Sequence, residues 1–280
     1  LSTLVDQETY FFILKATDLA GNVSDVFSSD GVTIDYGIPV SGSVYDGLSG
    51  DTDWTSSDST LELSWSGFID SVSGIALYEY GVGTTPGATN IISWTENGAD
   101  TNVVVSNLDL IHDGTYYGSV RATDVVGHVS ALATSNGIVV DIFDPTVGVP
   151  NDGGLVDLDY QGPSDTLGIF WSGNDTREIS FYQYSVGTSP GDTNVITWTD
   201  NGSETQVTIS DFTLTHEYVY YANIRAYDMA GNLSTVESSD GIIADLHPPM
   251  IGSVYDGLHE DELYTPSDTN LVANWDGFID

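Results

Sequence analysis

The chain repeats one sequence pattern at an interval of about one hundred residues. Trp65 recurs after 106 residues as Trp171 and after a further 104 residues as Trp275. The segment Gly-Ser-Val-Tyr-Asp-Gly-Leu at 42–48 returns unchanged at 252–258. An interval of this length is the size of a whole domain and is too long for one turn of a solenoid. The sequence therefore predicts tandem copies of one small domain.

The register of the repeat divides the chain into two complete and two partial copies. We predict that 1–38 is the C-terminal part of one copy, that 39–144 and 145–248 are complete copies, and that 249–280 is the N-terminal part of another. A copy of about 100 residues can bury roughly two thirds of its unfolded surface, which is enough for a core of its own. The two partial copies lack most of such a core.

The charge is strongly one-sided, with 42 acidic residues against four Lys and Arg and a net charge of −38. Binding to nucleic acid or to an anionic membrane requires basic residues, so we expect no nucleic-acid partner. No run is long and apolar enough for us to expect membrane insertion within these residues. An acidic surface attracts divalent cations instead. Cysteine is absent, which excludes a disulfide framework and thiolate chemistry.

Apolar and polar residues alternate in many short segments that are separated by Gly, Asn, Asp and Pro. Leu61, Leu63 and Trp65 face one way, while Glu62 and Ser64 face the other. Similar segments follow at 78–82, 91–95, 102–105, 116–122 and 137–141. No segment carries a sustained apolar stripe with a helical period. The pattern predicts an all-β chain of tandem antiparallel β-sandwich domains, with about seven strands each.

Several residues of this unit occur at positions typical of a known family. Trp65 lies in the second strand, Tyr80 lies in the third, and Leu110 precedes Gly-Thr-Tyr-Tyr at 114–117. The pattern resembles fibronectin type III, and immunoglobulin-like modules share much of it. The resemblance covers every complete or partial copy. It implies the sandwich fold and says little about function, because one fold hosts many functions.

The repeated tryptophan and tyrosine residues each predict a structural role. The tryptophan at 65 and its copies should anchor the core, with a hydrogen-bond partner for each indole N–H. Three tyrosines are candidates for a tyrosine corner, in which the hydroxyl bonds back to the chain entering the strand; the alternative is a plain core tyrosine. These are Tyr10, Tyr116 and Tyr220.

Three of the four basic residues share one repeat position, at Lys15, Arg121 and Arg225. Alternation places them on the outer face of the sheet. We expect Arg121 to pair with Glu79 on the neighbouring strand, where the next copy has Gln183. Exposed pairs of this kind contribute only about 0–1 kcal/mol.

Aspartates recur at the positions where the resemblance brings loops of successive copies together. Calcium binds six to eight oxygen atoms from carboxylates, carbonyls and water, and irregular loops can supply them. We predict calcium as a ligand of the junction between copies; the alternative is that these aspartates only satisfy the backbone of β-turns. The predicted ligands are Asp51, Asp53, Asp141, Asp144, Asp175 and Asp228.

Trp94 and Trp198 lie outside the inferred core at equivalent positions. An exposed aromatic ring can stack on a sugar, so these residues are candidate glycan ligands. The alternative, which we favour, is that such residues pin the long first loop or cover the edge of a sheet. It applies equally to Trp54 and its counterparts Tyr160 and Tyr264.

The sequence contains none of the motifs expected of an enzyme. Nucleophile elbows, zinc-binding helices and phosphate loops are missing, and the five histidines mostly fail to repeat. We therefore predict a non-catalytic array that acts as an extracellular spacer, stalk or adhesive segment of a larger surface or secreted protein. Its partners would be other repeats of the same chain and a cell-surface protein or glycan. The alternative is a set of glycan- or protein-binding accessory modules of a secreted multi-domain enzyme.

Overall fold

A computed structural model describes residues 3–163, 166–210, 213–257, 261, 263–267 and 269–280, which form 26 strands and no helix. The chain divides into two compact units, Leu1–Phe143 and Asp144–Asp280. The strands of the first unit are β1 Thr9–Tyr10, β2 Ile13–Leu14, β3 Phe27–Ser28, β4 Val32–Thr33, β5 Ser43–Asp46, β6 Trp54–Thr55, β7 Thr60–Ser66, β8 Ile75–Gly83, β9 Ile92–Gly98, β10 Asn102–Ser106, β11 Thr115–Asp124, β12 Ala133–Thr134 and β13 Ile138–Val140. Those of the second unit are β14 Thr146–Val147, β15 Asn151–Asp152, β16 Tyr160–Gln161, β17 Leu167–Phe170, β18 Gly173–Asn174, β19 Ile179–Gly187, β20 Ile196–Asp200, β21 Gln206–Ile209, β22 Val219–Asp228, β23 Glu237–Ser238, β24 Ile242–Ala244, β25 Ser253–Asp256 and β26 Ala273–Asp276.

Strands β5 to β13 of the first unit form a β-sandwich. One sheet has the strand order β10-β7-β5, and the other has the order β6-β13-β11-β8-β9, with β12 paired to β11. All these pairs are antiparallel except β6 with β13. Leu63 from the first sheet and Val82 and Val120 from the second lie in one buried core, each at most 1% exposed. The alternating segments predicted from the sequence are these strands.

The second unit repeats the arrangement with the strand orders β15-β17-β21 and β16-β24-β22-β19-β20. Its core is built from the equivalent residues, among them Leu167, Val186 and Ile224. The predicted fold class, an all-β chain of tandem antiparallel sandwiches, is confirmed. The predicted copies at the two ends contain only two-stranded pairings within the described residues, β1 with β4, β2 with β3 and β25 with β26.

The repeated tryptophans lie in the centre of each core. Trp65 and Trp171 are 3% and 1% exposed, whereas Trp275 in the last partial copy is 69% exposed. Trp65 meets Tyr78 edge to face with ring centroids 5.7 Å apart, and Trp171 meets Tyr182 in the same way at 5.8 Å. The expectation of a partner for the indole N–H is wrong: among the described residues neither buried indole nitrogen has one. Apolar packing and the aromatic pair hold these rings in place.

The tyrosine corner is present in all three copies that contain the residue. The hydroxyl of Tyr116 accepts a hydrogen bond from the Ile111 N–H at 3.1 Å. Tyr220 and Tyr10 accept from N–H groups five residues upstream, at 2.9 Å each. The hydroxyl thus fixes the chain that leads into the long strand β11 or β22, and the prediction is confirmed.

Replacement of Tyr116 by Phe should lower the free energy of unfolding by about 1 kcal/mol, because the Ile111 N–H loses its acceptor and regains only water. Tyr117→Phe is the matched control, since no hydrogen bond of the Tyr117 hydroxyl occurs in the described part of the chain. Urea denaturation followed by circular dichroism measures both variants. Equal midpoints for the two variants would show that the corner does not stabilise the unit.

Candidate functional site

The outer face of the larger sheet carries a stack of charged and aromatic side chains in the first unit. Arg121 on β11 lies directly opposite Glu79 on β8. Its guanidinium donates from Nε to Glu79 Oε2 at 2.7 Å and from Nη2 to Oε1 at 3.0 Å. The Arg121 Cζ also lies 4.5 Å from the centroid of the Trp94 ring, within the range of a cation–π contact. The predicted pairing of Arg121 with Glu79 is confirmed, and Trp94 adds a partner that the sequence did not reveal.

The second unit keeps the aromatic contact and changes the acid. Arg225 donates from Nε to Gln183 Oε1 at 2.8 Å, and its Cζ lies 4.3 Å from the centroid of the Trp198 ring. Both tryptophans are partly buried, and in each the guanidinium covers one face of the ring. A stacked sugar would have only the other face available. This geometry supports the alternative in which Trp94 and Trp198 cover the sheet.

The predicted calcium ligands of the first unit fall in two separate places. Asp51 and Asp53 lie exposed in the loop between β5 and β6, where Asp51 Oδ1 accepts a hydrogen bond from the Asp46 N–H at 3.0 Å. Asp141 is buried just after β13, and its Oδ1 accepts from the Phe143 N–H at 3.1 Å. The two loop acids therefore lie next to Asp46, a residue outside the predicted set.

The predicted ligands of the second unit begin and end strands. Asp144 is exposed just before β14. Asp228, buried at the end of β22, accepts hydrogen bonds from the Asn232 N–H at 2.8 Å and from Asn232 Nδ2 at 2.7 Å. Asp175 accepts from the Arg177 N–H at 3.0 Å through Oδ2. Asp175 and Asp228 thus each bond to a turn, as the alternative interpretation expects, although Oδ1 of Asp175 is buried without a hydrogen-bond partner among the described residues. Calcium binding by the predicted ligands stays a prediction.

The repeat equivalents of Asp141 and Asp228 occur together within the first unit. One oxygen each from Asp35 and Asp124 and one ring nitrogen of His128 lie within 4.8 Å of one another. Asp124 Oδ1 accepts from three successive N–H groups, those of residues 126–128, and its Oδ2 lies 2.9 Å from His128 Nδ1. Asp35 is buried, and its Oδ2 has no hydrogen-bond partner among the described residues. This cluster has the ligand types of a cation site.

Burial acts against charge on Asp124, but the hydrogen bonds it accepts from His128 and Gly127 outweigh that effect, so the pKa of Asp124 is lowered. The pKa of Asp70 is lowered too, mainly because the Ser73 N–H donates to its carboxylate, with further hydrogen bonds from the N–H groups of Gly74 and Val72. Both carboxylates are therefore charged at neutral pH and are fixed by the turns that hold them.

Two other aspartates lie in environments that raise the pKa of the carboxyl group. Asp46 and Asp152, at equivalent positions near the end of the first strand of each sandwich, are 1% and 0% exposed. Desolvation raises the pKa of both to about 6, and acidic neighbours add to the effect: Asp51 and Asp53 for Asp46, Asp157 and Asp240 for Asp152. Nearby serine hydroxyls favour the charged form only in part. Among the described residues, one oxygen of Asp46 and both oxygens of Asp152 are buried without a hydrogen-bond partner.

Two histidines share a repeat position that the sequence analysis overlooked. His112 Nδ1 accepts a hydrogen bond from the Ile142 N–H at 3.4 Å, and His216 Nδ1 accepts from the Leu246 N–H at 3.1 Å. Both N–H groups belong to the residue that follows the aspartate just after the last strand of the unit, Asp141 after β13 and Asp245 after β24. The other three histidines, at 128, 247 and 259, do not repeat, so the expectation that the histidines mostly fail to repeat holds with this pair as the exception. The two histidines are 104 residues apart, as are Asp124 and Asp228, so the repeat interval could have identified the pair from the sequence.

Comparison with known proteins gives similarities of modest strength. No protein-family model matches the chain. Exoglucanase B of Cellulomonas fimi is 26% identical over 247 residues, which cover 84% of this chain and 20% of the enzyme. The chain thus spans about a fifth of the length of that relative.

Similar solved structures include fibronectin modules. The FN1–FN3 domains of chicken CNTN1 are 14% identical with a TM-score of 0.46, and the similarity covers 84% of this chain and 77% of that one. The fibronectin(III)-like modules of Clostridium thermocellum CbhA are 16% identical with a TM-score of 0.46, covering 72% and 94%.

The fold on its own supports the resemblance seen in the sequence. Each complete sandwich packs a three-stranded sheet against a larger one, with a tyrosine corner at the start of the longest strand. The core tryptophan lies on the middle strand β7 of the smaller sheet in the first unit and directly after the equivalent strand β17 in the second. The chain contains two antiparallel β-sandwich domains in tandem, and the second repeats the strand order of the first. In the part of the chain that the structure describes, no helix has the length and apolar character needed to span a bilayer.

Proposed function

We propose that this chain is a non-catalytic array of sandwich modules that acts as a spacer or stalk in a larger secreted or cell-surface protein. The proposal depends on the observation that the contacts of the core and of the sheet repeat in both units, while one of the loops does not. The core tryptophan, the tyrosine corner and the arginine stack recur in both units. The loop after the tryptophan strand does not: at 67–74 it is a turn capped by Asp70, whereas at 173–178 it is shorter and begins with strand β18. A ligand site common to both units would need common loops.

Retention on insoluble polysaccharides tests this proposal. The 280-residue chain should remain in the supernatant over a panel that includes cellulose, xylan and chitin, because the outer aromatic rings are engaged with arginine. Retention on any of them at micromolar protein would contradict a pure spacer and would favour the second function below.

The second candidate function is that of an accessory module in a secreted multi-domain enzyme. The similarity to Exoglucanase B over a fifth of that enzyme's length favours it. In this function the free faces of Trp94 and Trp198 would contact glycan. Retention that is lost in Trp94→Ala and Trp198→Ala, and kept in the control variant Tyr218→Ala, which removes an exposed aromatic ring elsewhere, would support it. Retention unaffected by both tryptophan variants would exclude these rings as the binding surface.

The proposed spacer is stiffened by calcium at the junctions between copies. The support is that carboxylate oxygens of Asp35 and Asp124 lie within 4.8 Å of each other, and that the same aspartates occur at the equivalent positions Asp141 and Asp228. Small-angle scattering should show a larger radius of gyration in calcium than in chelator. Asp35→Asn keeps an acceptor for the Gly37 N–H and removes the charge, so it should reduce the difference, whereas the exposed control Asp30→Asn should not. Identical curves in calcium and chelator would exclude the stiffening.

A further inference from the structure

We propose that Asp152, Asp157 and Asp240 form a calcium-type cation site inside the second unit, distinct from the junction residues. One carboxylate oxygen from each residue lies within 4.8 Å of the other two. Two ligands on opposite sides of a calcium ion are about 4.6–5.2 Å apart, since each lies 2.3–2.6 Å from the metal. The three carboxylates are therefore already spaced as ligands of one ion.

The buried member of the group supplies an independent indication of a ligand. Asp152 is 0% exposed, and neither of its carboxylate oxygens has a hydrogen-bond partner among the described residues. The Ser239 hydroxyl accepts a hydrogen bond from the Ala222 N–H at 2.9 Å, and its interaction with Asp152 offsets only part of the desolvation of that carboxylate. A buried carboxylate is normally paired, hydrogen-bonded or bound to a metal. A cation that binds Asp157 and Asp240 would satisfy both oxygens of Asp152.

The three aspartates lie in two neighbouring loops. Asp152 ends β15, and its carbonyl accepts a hydrogen bond from the Leu158 N–H at 2.9 Å, which closes the loop that carries Asp157. Gly153 begins this loop with a φ of +99°, a conformation that favours glycine. Asp240 precedes Gly241, whose φ is +101°, in the turn between β23 and β24. Asp157 and Asp240 are exposed, so water can complete the coordination shell.

The local charge favours a cation over any other ligand. None of the salt bridges found in the described residues includes one of these three carboxylates. The cluster therefore concentrates three negative charges without a basic residue to balance them. A divalent oxygen-binding cation matches this charge and the all-oxygen ligand set, whereas zinc and copper sites commonly include His or Cys.

The first unit provides a natural comparison, because it keeps part of the group. Asp46 and Asp51 stand where the second unit has Asp152 and Asp157, but Asn136 replaces Asp240. One oxygen of Asp46 accepts a hydrogen bond from the Gly137 N–H at 3.0 Å, and only the other lacks a partner. With one carboxylate fewer and one oxygen already engaged, the site in the first unit should bind calcium much more weakly.

Calorimetric titration of the 280-residue chain with calcium chloride, together with thermal unfolding, tests the site. We expect saturable binding in the range of about 0.1–1 mM, typical of extracellular calcium modules, and a rise of roughly 5 °C in the midpoint of the second unit at about 10 mM calcium. Asp240→Asn should weaken binding at this site at least about tenfold, because it removes one of three charged ligands. Asp159→Asn is the matched control, since it removes a charge from the same loop outside the group.

Asp152→Asn provides a second, opposite readout. In chelator the variant should unfold at a higher temperature than the unchanged chain at pH 7, because it removes a buried unpaired charge, yet it should lose the response to calcium at this site. Asp35→Asn separates the site from the junction proposal, because it should leave this response intact. Equal calcium responses in the unchanged chain, Asp152→Asn and Asp240→Asn would overturn the site, as would a loss in Asp159→Asn as large as that in Asp240→Asn.

Discussion

Replacement of Trp171 by Ala should lower the free energy of unfolding of the second unit by about 3–5 kcal/mol, which is comparable to the whole stability of a small domain. The ring is 1% exposed and packs against Tyr182 and the residues of both sheets, so its removal leaves a large cavity between them. Since the indole N–H has no partner in the described structure, the loss comes from packing rather than from a hydrogen bond.

Trp198→Ala is the control for this variant, because it removes the same side chain from the outer face. Its contact with Arg225 is partly exposed and should contribute about 0.5–1 kcal/mol. Denaturation followed by far-ultraviolet circular dichroism avoids the loss of tryptophan fluorescence in both variants. Similar midpoints for Trp171→Ala and Trp198→Ala would contradict the assignment of Trp171 to the core and of Trp198 to the outer face.

The metal-free chain should become less stable as the pH rises from about 4 to about 7. Asp46 and Asp152 have a pKa of about 6 when folded, against an ordinary value of 3.8, so the folded state binds more protons between these values. Stability therefore falls with rising pH across this window, and the charged form costs up to about 3 kcal/mol for each residue at pH 7.

The variant Asp152→Asn isolates this effect from the general relief of acidic repulsion at low pH. In chelator the difference in stability between the variant and the unchanged chain should favour the variant by about 1–3 kcal/mol at pH 7 and should shrink toward pH 4. Urea denaturation at several pH values measures the difference. A variant that is less stable than the unchanged chain at pH 7 would show that the Asp152 charge is satisfied within the fold.

The sandwich was predictable because its causes are local. Alternation fixes which residues of a strand face inward, so the burial of Leu61 and Leu63 follows from their spacing. The same alternation, applied to β8 and β11, placed Arg121 opposite Glu79. The tyrosine corner was recognisable because the hydroxyl reaches a residue only five positions upstream.

The sites were less predictable because they depend on which loops lie side by side. The sequence singled out Asp51 and Asp53 as ligands but assigned them to the junction, while the structure puts Asp51 against Asp46. Asp240 comes next to Asp152 only because the turn before β24 lies beside the end of β15, and nothing in the repeat pattern indicates that neighbour. The stacking of Arg225 on Trp198 likewise requires the register of β19 with both β20 and β22.

The two cation proposals give the acidic residues different tasks. Carboxylates such as Asp124 and Asp228 cap turns and carry their charge in a fixed geometry. Asp152 has no such role, and its lack of partners makes sense if a cation binds there. Calcium would therefore act at two levels: inside a module, by raising its stability, and between modules, by stiffening the array.

The central claim is that the modules form an extended spacer. Small-angle X-ray scattering of the 280-residue chain tests this claim most directly. A compact single domain of this length would have a radius of gyration of about 19 Å. The spacer proposal predicts a clearly larger value in calcium, with a distance distribution that extends well beyond that of a globular protein. A radius of gyration near 19 Å would contradict the spacer function.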